Sequence, residues 1–410
     1  MVKKSKFIKS LFKYSFVTAY LIFSANIFAA EDIFIVEEQE NKLTPIKLRN
    51  GEKAPKVKVD FSENNFKDGS NDKGLSWQPR WITSGVASLG LIGSSIIDDN
   101  IVFIEKAGKK NGPQGALLVT YDYKENEFQS IGKLSNYEIK KYKIDLESNL
   151  LFATFTPQRC FQQKKDGVIA AELDTGKVLT KSLLEDEKDQ VKGVNISGNN
   201  VLVSYYSEYD EKINIEVFDF SLKKKGNIKT PFNEGLLVPI NDSEFAFLSK
   251  SGGIIIDNKS LKIKKDKKLN FSLITKISQA EYCSNLDKFI VLTQQGLLLS
   301  IDNSKNAAKK TISNSVSSQF QYNNENGLLS FYNGSKKRIF VLKTKENFKS
   351  LALISIKRSV SKGESVKWCR IINDNPVVVI GFTSYGRLFK VNFNTKRKRG
   401  KLTSIIQPVQ

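Results

Sequence analysis

The side chains best equipped for chemistry in this 410-residue chain are cationic, and they come in runs. Lys396-Arg397-Lys398-Arg399 and Lys223-Lys224-Lys225 are uninterrupted. Lys262, Lys264, Lys265, Lys267 and Lys268 crowd one short stretch, and Lys309-Lys310 forms a further pair. Clustered ammonium and guanidinium groups attract anions: acidic proteins, phospholipid headgroups, lipopolysaccharide, acidic polysaccharide. Lysines on an exposed strand edge also deter edge-to-edge pairing, a role that needs no ligand. Both readings stand at this level. The whole chain carries a formal charge of +21, which strengthens the attraction to anionic surfaces without specifying a site.

Other chemistries are narrower. There is no histidine, so triads of the Ser-His-Asp and Cys-His kind and imidazole-based zinc sites are excluded. Cys160, Cys283 and Cys369 are far apart, with no CxxC pair, and read as buried thiols. Asp68, Ser70 and Asp72 alternate as calcium ligands would, but Lys73 stands where such a loop needs glycine and Pro79 where it needs glutamate. No cofactor or metal signature and no catalytic residue is therefore assigned. Carboxylate-based glycosidase or lyase chemistry stays open, because two acids suffice and turns such as Asp98-Asp99 supply acids everywhere. Tyr205-Tyr206-Ser207-Glu208-Tyr209 suits glycan or protein recognition if it forms a loop, and is ordinary if it ends a strand.

The elements that must position these groups repeat. In Asn285–Asp302 two short apolar runs rich in strand formers flank Gln294-Gln295-Gly296, which reads as a hairpin of buried strands. Polar turns like the one before its first run end at Asn100, Asn149, Asn200, Ser243, Asp287, Asn326 and Asn375, at intervals of 49, 51, 43, 44, 39 and 49 residues. Asn and Asp suit such turns because they tolerate left-handed backbone. Each copy has an apolar strand before the turn, two after it and a more polar fourth. Four antiparallel strands in a repeat of this length match a propeller blade. The predicted fold is all-β: a seven-bladed β-propeller of four-stranded antiparallel blades over residues 81–410.

Before it come two other segments. Residues 1–30 combine five lysines and no acid with an apolar run ending in Ala25, Ala29 and Ala30, the order of a cleavable export signal. Residues 31–80 form a short N-terminal segment and polar linker, with Trp77 at its end and Trp81 just beyond pinning it to the ring. No further segment is apolar enough to cross a bilayer as a helix, so the mature chain is expected in the periplasm or outside the cell.

Ala171–Leu179, AELDTGKVL, resembles the strand–turn–strand signature of PQQ-like blades, and Tyr121-Asp122, Phe218-Asp219 and Ile301-Asp302 echo its aspartate. The chain thus resembles the PQQ-like and YVTN-type propeller repeats of bacterial envelope proteins. The tryptophan usual after the TGK turn is missing, with Leu179 nearby. Quinoprotein dehydrogenases of that kind need adjacent cysteines and a calcium site, neither of which this sequence shows, so the resemblance implies fold and envelope setting alone. The expected function is a non-catalytic binding or scaffold platform for a protein or an anionic envelope component. A carbohydrate-active propeller is the alternative, and export argues against nucleic acid. The expected contact residues are Lys223, Lys224, Lys225, Lys262, Lys264, Lys265, Lys267, Lys268, Lys396, Arg397, Lys398 and Arg399.

Overall fold

The computed structural model describes residues 91–406 apart from 98–99, 109–113, 123–126, 136–137, 157–164, 174–175, 357–363, 375, 385–387 and 395–398. The export signal, the N-terminal segment with Trp77 and Trp81, Cys160, and Lys396, Arg397 and Lys398 lie outside the described residues.

The chain builds seven four-stranded antiparallel sheets in sequence order. Sheet I holds β1 (Leu91–Ile97), β2 (Asn100–Gly108), β3 (Gln114–Asp122) and β4 (Glu127–Ser135). Sheet II holds β5 (Glu138–Asp145), β6 (Leu150–Thr156), β7 (Gly167–Glu172) and β8 (Val178–Leu183). Sheet III holds β9 (Gln190–Ser197), β10 (Asn200–Ser207), β11 (Lys212–Phe218) and β12 (Lys224–Lys229). Sheet IV holds β13 (Leu236–Pro239), β14 (Glu244–Ser249), β15 (Gly252–Asp257) and β16 (Lys262–Ile263). Sheet V holds β17 (Ile277–Cys283), β18 (Lys288–Thr293), β19 (Leu298–Asp302) and β20 (Lys309–Ser313). Sheet VI holds β21 (Gln321–Asn323), β22 (Leu328–Asn333), β23 (Arg338–Lys343) and β24 (Lys349–Ser355). Sheet VII holds β25 (Val366–Asp374), β26 (Val377–Thr383), β27 (Leu388–Asn394) and β28 (Arg399–Ile406).

Burial explains why these segments are strands. Every residue of β14 and of β26 is buried, so both faces of a middle strand must be apolar or internally satisfied. That is why the second strands read as continuous apolar runs rather than alternating ones. The fourth strands are the wet edge: β8 and β12 are mostly exposed and carry lysines. Apolar side chains from each sheet interdigitate with those of the next. Val102 and Leu151 share one cluster between I and II, Phe152 and Val201 one between II and III, and Ile215 and Phe245 one between III and IV. Leu248 and Phe289 share one between IV and V, Ile290 and Phe331 one between V and VI, and Val341 and Val379 one between VI and VII.

The turns behave as their residues dictate. Asn149 and Asp287 sit at φ of 55° and 52°, left-handed values that Asn and Asp accept. Gly296, at φ 79°, turns β18 into β19 where a Cβ would lie 2.5 Å from the Val316 carbonyl oxygen. Cys283 and Cys369 are fully buried free thiols, and burial pushes the Cys369 thiol up to about 12.

Two expectations need correction. The stretch Leu273–Ser278, LITKIS, predicts the first strand of sheet V upstream of the turn ending at Asp287, but the strand runs from Ile277 to Cys283. Its Gln279 and Glu281 look like turn residues in sequence, yet Gln279 hydrogen-bonds both the Phe320 N–H (3.0 Å) and its carbonyl (2.7 Å) at the edge of sheet VI. Second, Lys262–Lys268 does not form one long fourth strand. The ladder is interrupted after Ile263 and returns as a single antiparallel bridge between Leu269 and Gly253, with Lys265–Lys267 forming a 3-10 turn between. A 3-10 turn brings i and i+3 onto one side, and Lys264 and Lys267 use it to converge on Glu244, Lys267 at 3.0 Å.

Candidate functional site

The first strands share a device that the residues themselves produce. Register slips near the start of β1, β5, β9, β17 and β25, leaving Ile92, Lys140, Lys192, Ser278 and Lys367 as the extra, bulged residues. A bulge bends its strand and re-aims the side chain it carries. In three sheets that side chain is an exposed lysine. Sequence reasoning missed these lysines, although a signal existed: each follows a buried apolar residue in Ile139-Lys140, Val191-Lys192 and Val366-Lys367.

Beside the bulge of β9 lies a cleft of about 420 Å³ framed by sheets III, IV and V. Its wall in sheet III is one cross-strand rung, Gln190–Tyr206–Ile213. Lys192 adds its ammonium 5.7 Å from the Tyr206 ring centroid and donates to the Gln190 side chain at 2.9 Å. The segment entering β13 contributes Glu234, the turn after β14 contributes Lys250, and the start of β17 contributes Lys276. Glu234 accepts Lys276 at 2.8 Å and lies 3.7 Å from Lys250. Its Oε1 is buried with no hydrogen-bond donor. Two ammonium groups thus approach Glu234 and a third, that of Lys192, belongs to a residue lining the same cleft; the lysines stay substantially exposed, Lys250 at 48% and Lys276 at 59% of the side chain. The chemistry of this arrangement is capture of a negatively charged group.

The tyrosine run divides. Tyr205 is buried and accepts a hydrogen bond from Asn227 at 2.9 Å, Tyr206 lines the cleft, and Tyr209 is 92% exposed in the turn beyond β10.

The cationic runs picked out in sequence lie elsewhere. Lys223 precedes β12 and is exposed, while Lys224 and Lys225 begin that strand. Lys224 bridges Glu185 (2.5 Å) and buried Glu216 (2.7 Å). Burial pulls its ammonium down, but the hydrogen bonds to the two carboxylates outweigh that and raise it above its ordinary value. Lys225 donates to the Asn200 side chain at 2.6 Å. Lys264 and Lys267 are held by Glu244, with Asp257 3.7 Å from Lys264. Lys262, Lys265 and Lys268 are exposed, and Arg399 opens β28. Of these runs, then, Lys224, Lys264 and Lys267 are engaged by the protein's own acids.

The Lys264 hydrogen bond, opposed by partial burial and aided by Lys267, holds the Glu244 carboxyl below the usual range. Its stabilising effect is present above the ordinary carboxylate pKa and is lost as pH falls through the depressed folded value. E244Q removes the carboxylate partner of Lys267 and leaves Lys264 with Asp257 alone, and should cost roughly 1–3 kcal/mol. Urea unfolding at neutral pH measures this; no loss would show that the pairs are solvated.

A second charged group lies among the first strands. Glu281 on β17 accepts from Gln279 at 2.9 Å, and its charge is felt by Arg370 on β25 and Lys143 on β5. Burial pushes its carboxyl up, against the pull of both cations. A raised folded pKa means that stability is lost as pH rises from the ordinary carboxylate value through the folded one. E281Q should therefore melt higher than the parent at neutral pH and equal to it near pH 4, in thermal melts across a pH series. A lower melting temperature at neutral pH would show that the ion pairs outweigh desolvation.

Known structures place this architecture. Among solved structures the chain is similar to KlHsv2 with loop 6CD replaced by a Gly-Ser linker, at 13% identity and a TM-score of 0.50, over 77% of this chain and 97% of that one. Kluyveromyces lactis Hsv2 is also similar, at 11% identity and a TM-score of 0.49 over the same shares. The fold is that of a β-propeller. No protein-family model matches the chain, and no curated protein matches it by sequence.

Proposed function

We infer that this chain is an exported β-propeller of seven blades acting as a non-catalytic binding platform for a protein or an anionic envelope component. The observation that carries this reading is the cleft lined by Lys192, Lys250 and Lys276, the last two beside Glu234. Seven four-stranded sheets joined by six successive apolar interfaces support a ring that sheet VII closes against sheet I. The mutual influence of Lys143, Glu281 and Arg370, from sheets II, V and VII, supports the same closure. Export rests on the leader-like residues 1–30, and kinship with PQQ-like envelope repeats rests on Ala171–Leu179. Lys223, Lys262, Lys265 and Lys268 are assigned as secondary contacts at the rim.

The carbohydrate-active alternative needs two carboxyl groups about 5–9.5 Å apart across a glycosidic bond. Among the described residues the cleft presents Glu234 with three lysines, and the charges acting on Glu281 are cationic. That composition favours binding over hydrolysis.

The test expresses the full chain with its leader, sequences the exported N-terminus, and captures partners from envelope extract at low salt and near 1 M salt, where screening reaches about 3 Å. The reading expects cleavage near Ala29 or Ala30 and a partner lost both at high salt and in the K250M/K276M variant. A retained leader, or partners indifferent to salt and to that variant, would overturn it.

A further inference from the structure

The cleft has features that simple anion capture leaves unused. Two large apolar side chains stand almost free in water, Tyr209 and Ile274, each 92% exposed. Tyr209 follows Tyr206 by three residues and Ile274 precedes Lys276 by two, so the chain holds them within about 11 Å and 7 Å of lining residues. They rise from different sheets, Tyr209 from the turn after β10 and Ile274 from the segment leading into β17. Glu234 occupies Lys250 and Lys276 from inside the protein, while its buried Oε1 lacks a donor. A recess lined by cations and flanked by exposed apolar groups has the anatomy of a protein interface.

Resting on the binding role inferred above, the geometry points to an acidic polypeptide segment of a partner protein as the occupant, its carboxylate replacing Glu234 at Lys250 and Lys276 and its apolar side chains covering Tyr209 and Ile274. Charge complementarity selects the acid, since three lysines and one glutamate stand among the lining residues. Ile274 selects the polypeptide: a branched aliphatic side chain gains from another apolar side chain and little from a hydroxylated sugar ring. Concavity disfavours a bilayer, because lysines set around a recess present fewer charges to a flat surface than lysines on a convex one. Glu234 then acts as an internal stand-in for the ligand, which the partner's carboxylate must displace.

The probe is a fluorescein-labelled decapeptide containing four glutamates and two leucines, titrated by anisotropy against the full chain. Labelled poly-L-glutamate of equal charge, oligogalacturonate and phosphatidylglycerol vesicles are the comparison ligands. E234Q removes the stand-in while keeping its shape, and should tighten decapeptide binding roughly five-fold. Y209S/I274S should weaken the decapeptide by roughly five- to ten-fold and leave poly-L-glutamate unchanged, because only the decapeptide brings leucines. Tyr209 and Ile274 are exposed, so Y209S/I274S falls where folding is tolerant, and circular dichroism checks that each variant, E234Q included, is folded. Unchanged or weaker binding by E234Q overturns the stand-in role. Oligogalacturonate or vesicles binding as tightly as the decapeptide, without sensitivity to Y209S/I274S, replaces the polypeptide by a glycan or a membrane and overturns the assignment. If K250M/K276M alters no ligand's binding, the inferred platform itself fails, an outcome distinct from either of these.

Discussion

Phe289→Ala will destabilise the protein by about 3–5 kcal/mol, the cost of emptying a phenylalanine site that cannot collapse. Phe289 is fully buried on β18, opposite Tyr282 on one side and Ile301 on the other. Its ring lies 5.3 Å from that of Tyr282, tilted by 56°. It belongs to the apolar layer that binds sheet V to Val238, Ala246 and Leu248 of sheet IV. Removing the ring therefore costs transfer energy and inter-sheet contact together, and rigid sheets on both sides limit relaxation. Phe289→Leu keeps most of the apolar volume and should cost less than about 1.5 kcal/mol. Urea unfolding of both variants checks the pair; an alanine variant as stable as the leucine one would show that sheets IV and V do not grip each other here.

The parts of this fold that were readable in sequence share a cause. Middle strands are sandwiched between neighbouring sheets, so β18 and β26 had to be written as unbroken apolar runs. The turns before β6 and β18 needed left-handed backbone, and Asn149 and Asp287 supplied it. The first strand of sheet V was misplaced because Gln279 and Glu281 spend their polarity on the next sheet and on cations of distant strands. Local composition does not reveal a polar residue whose partner is some forty residues away, as Phe320 is from Gln279. Gln321, accepting from the Ile371 N–H at 2.7 Å, and Asn195, donating to the Leu237 carbonyl at 3.0 Å, link sheets in the same hidden way.

The candidate site was harder still. Its lining runs from Gln190 to Gln294 and comes together only when three sheets stand side by side. Three lysines of the cationic runs that stood out in sequence belong to another task. Lys224 neutralises Glu216 and Glu185, and Lys264 and Lys267 neutralise Glu244. The cleft lysines sit singly in the chain and escape any search for clusters. Tyr206 was within a run that drew attention, yet its neighbour Tyr205 turned out to be core.

The second large effect concerns those isolated lysines. Lys250 and Lys276 flank Glu234 at 3.7 and 2.8 Å, so removing both leaves Glu234 without either neighbour and Lys192 as the remaining lysine of the lining. An incoming anion then meets a balanced cleft instead of a cationic one, and K250M/K276M should weaken binding of poly-L-glutamate by about ten-fold or more. The matched variant K223M/K262M removes the same charge from exposed rim positions and should change affinity less than about two-fold, because exposed charges are well screened.

Titrating poly-L-glutamate against the parent, K250M/K276M and K223M/K262M at several salt concentrations tests the central claim most directly. Affinity and salt dependence should both fall in K250M/K276M and stay at parental values in K223M/K262M. Equal losses in the two variants, or a loss confined to K223M/K262M, would place anion binding on the rim and contradict the cleft as the functional site.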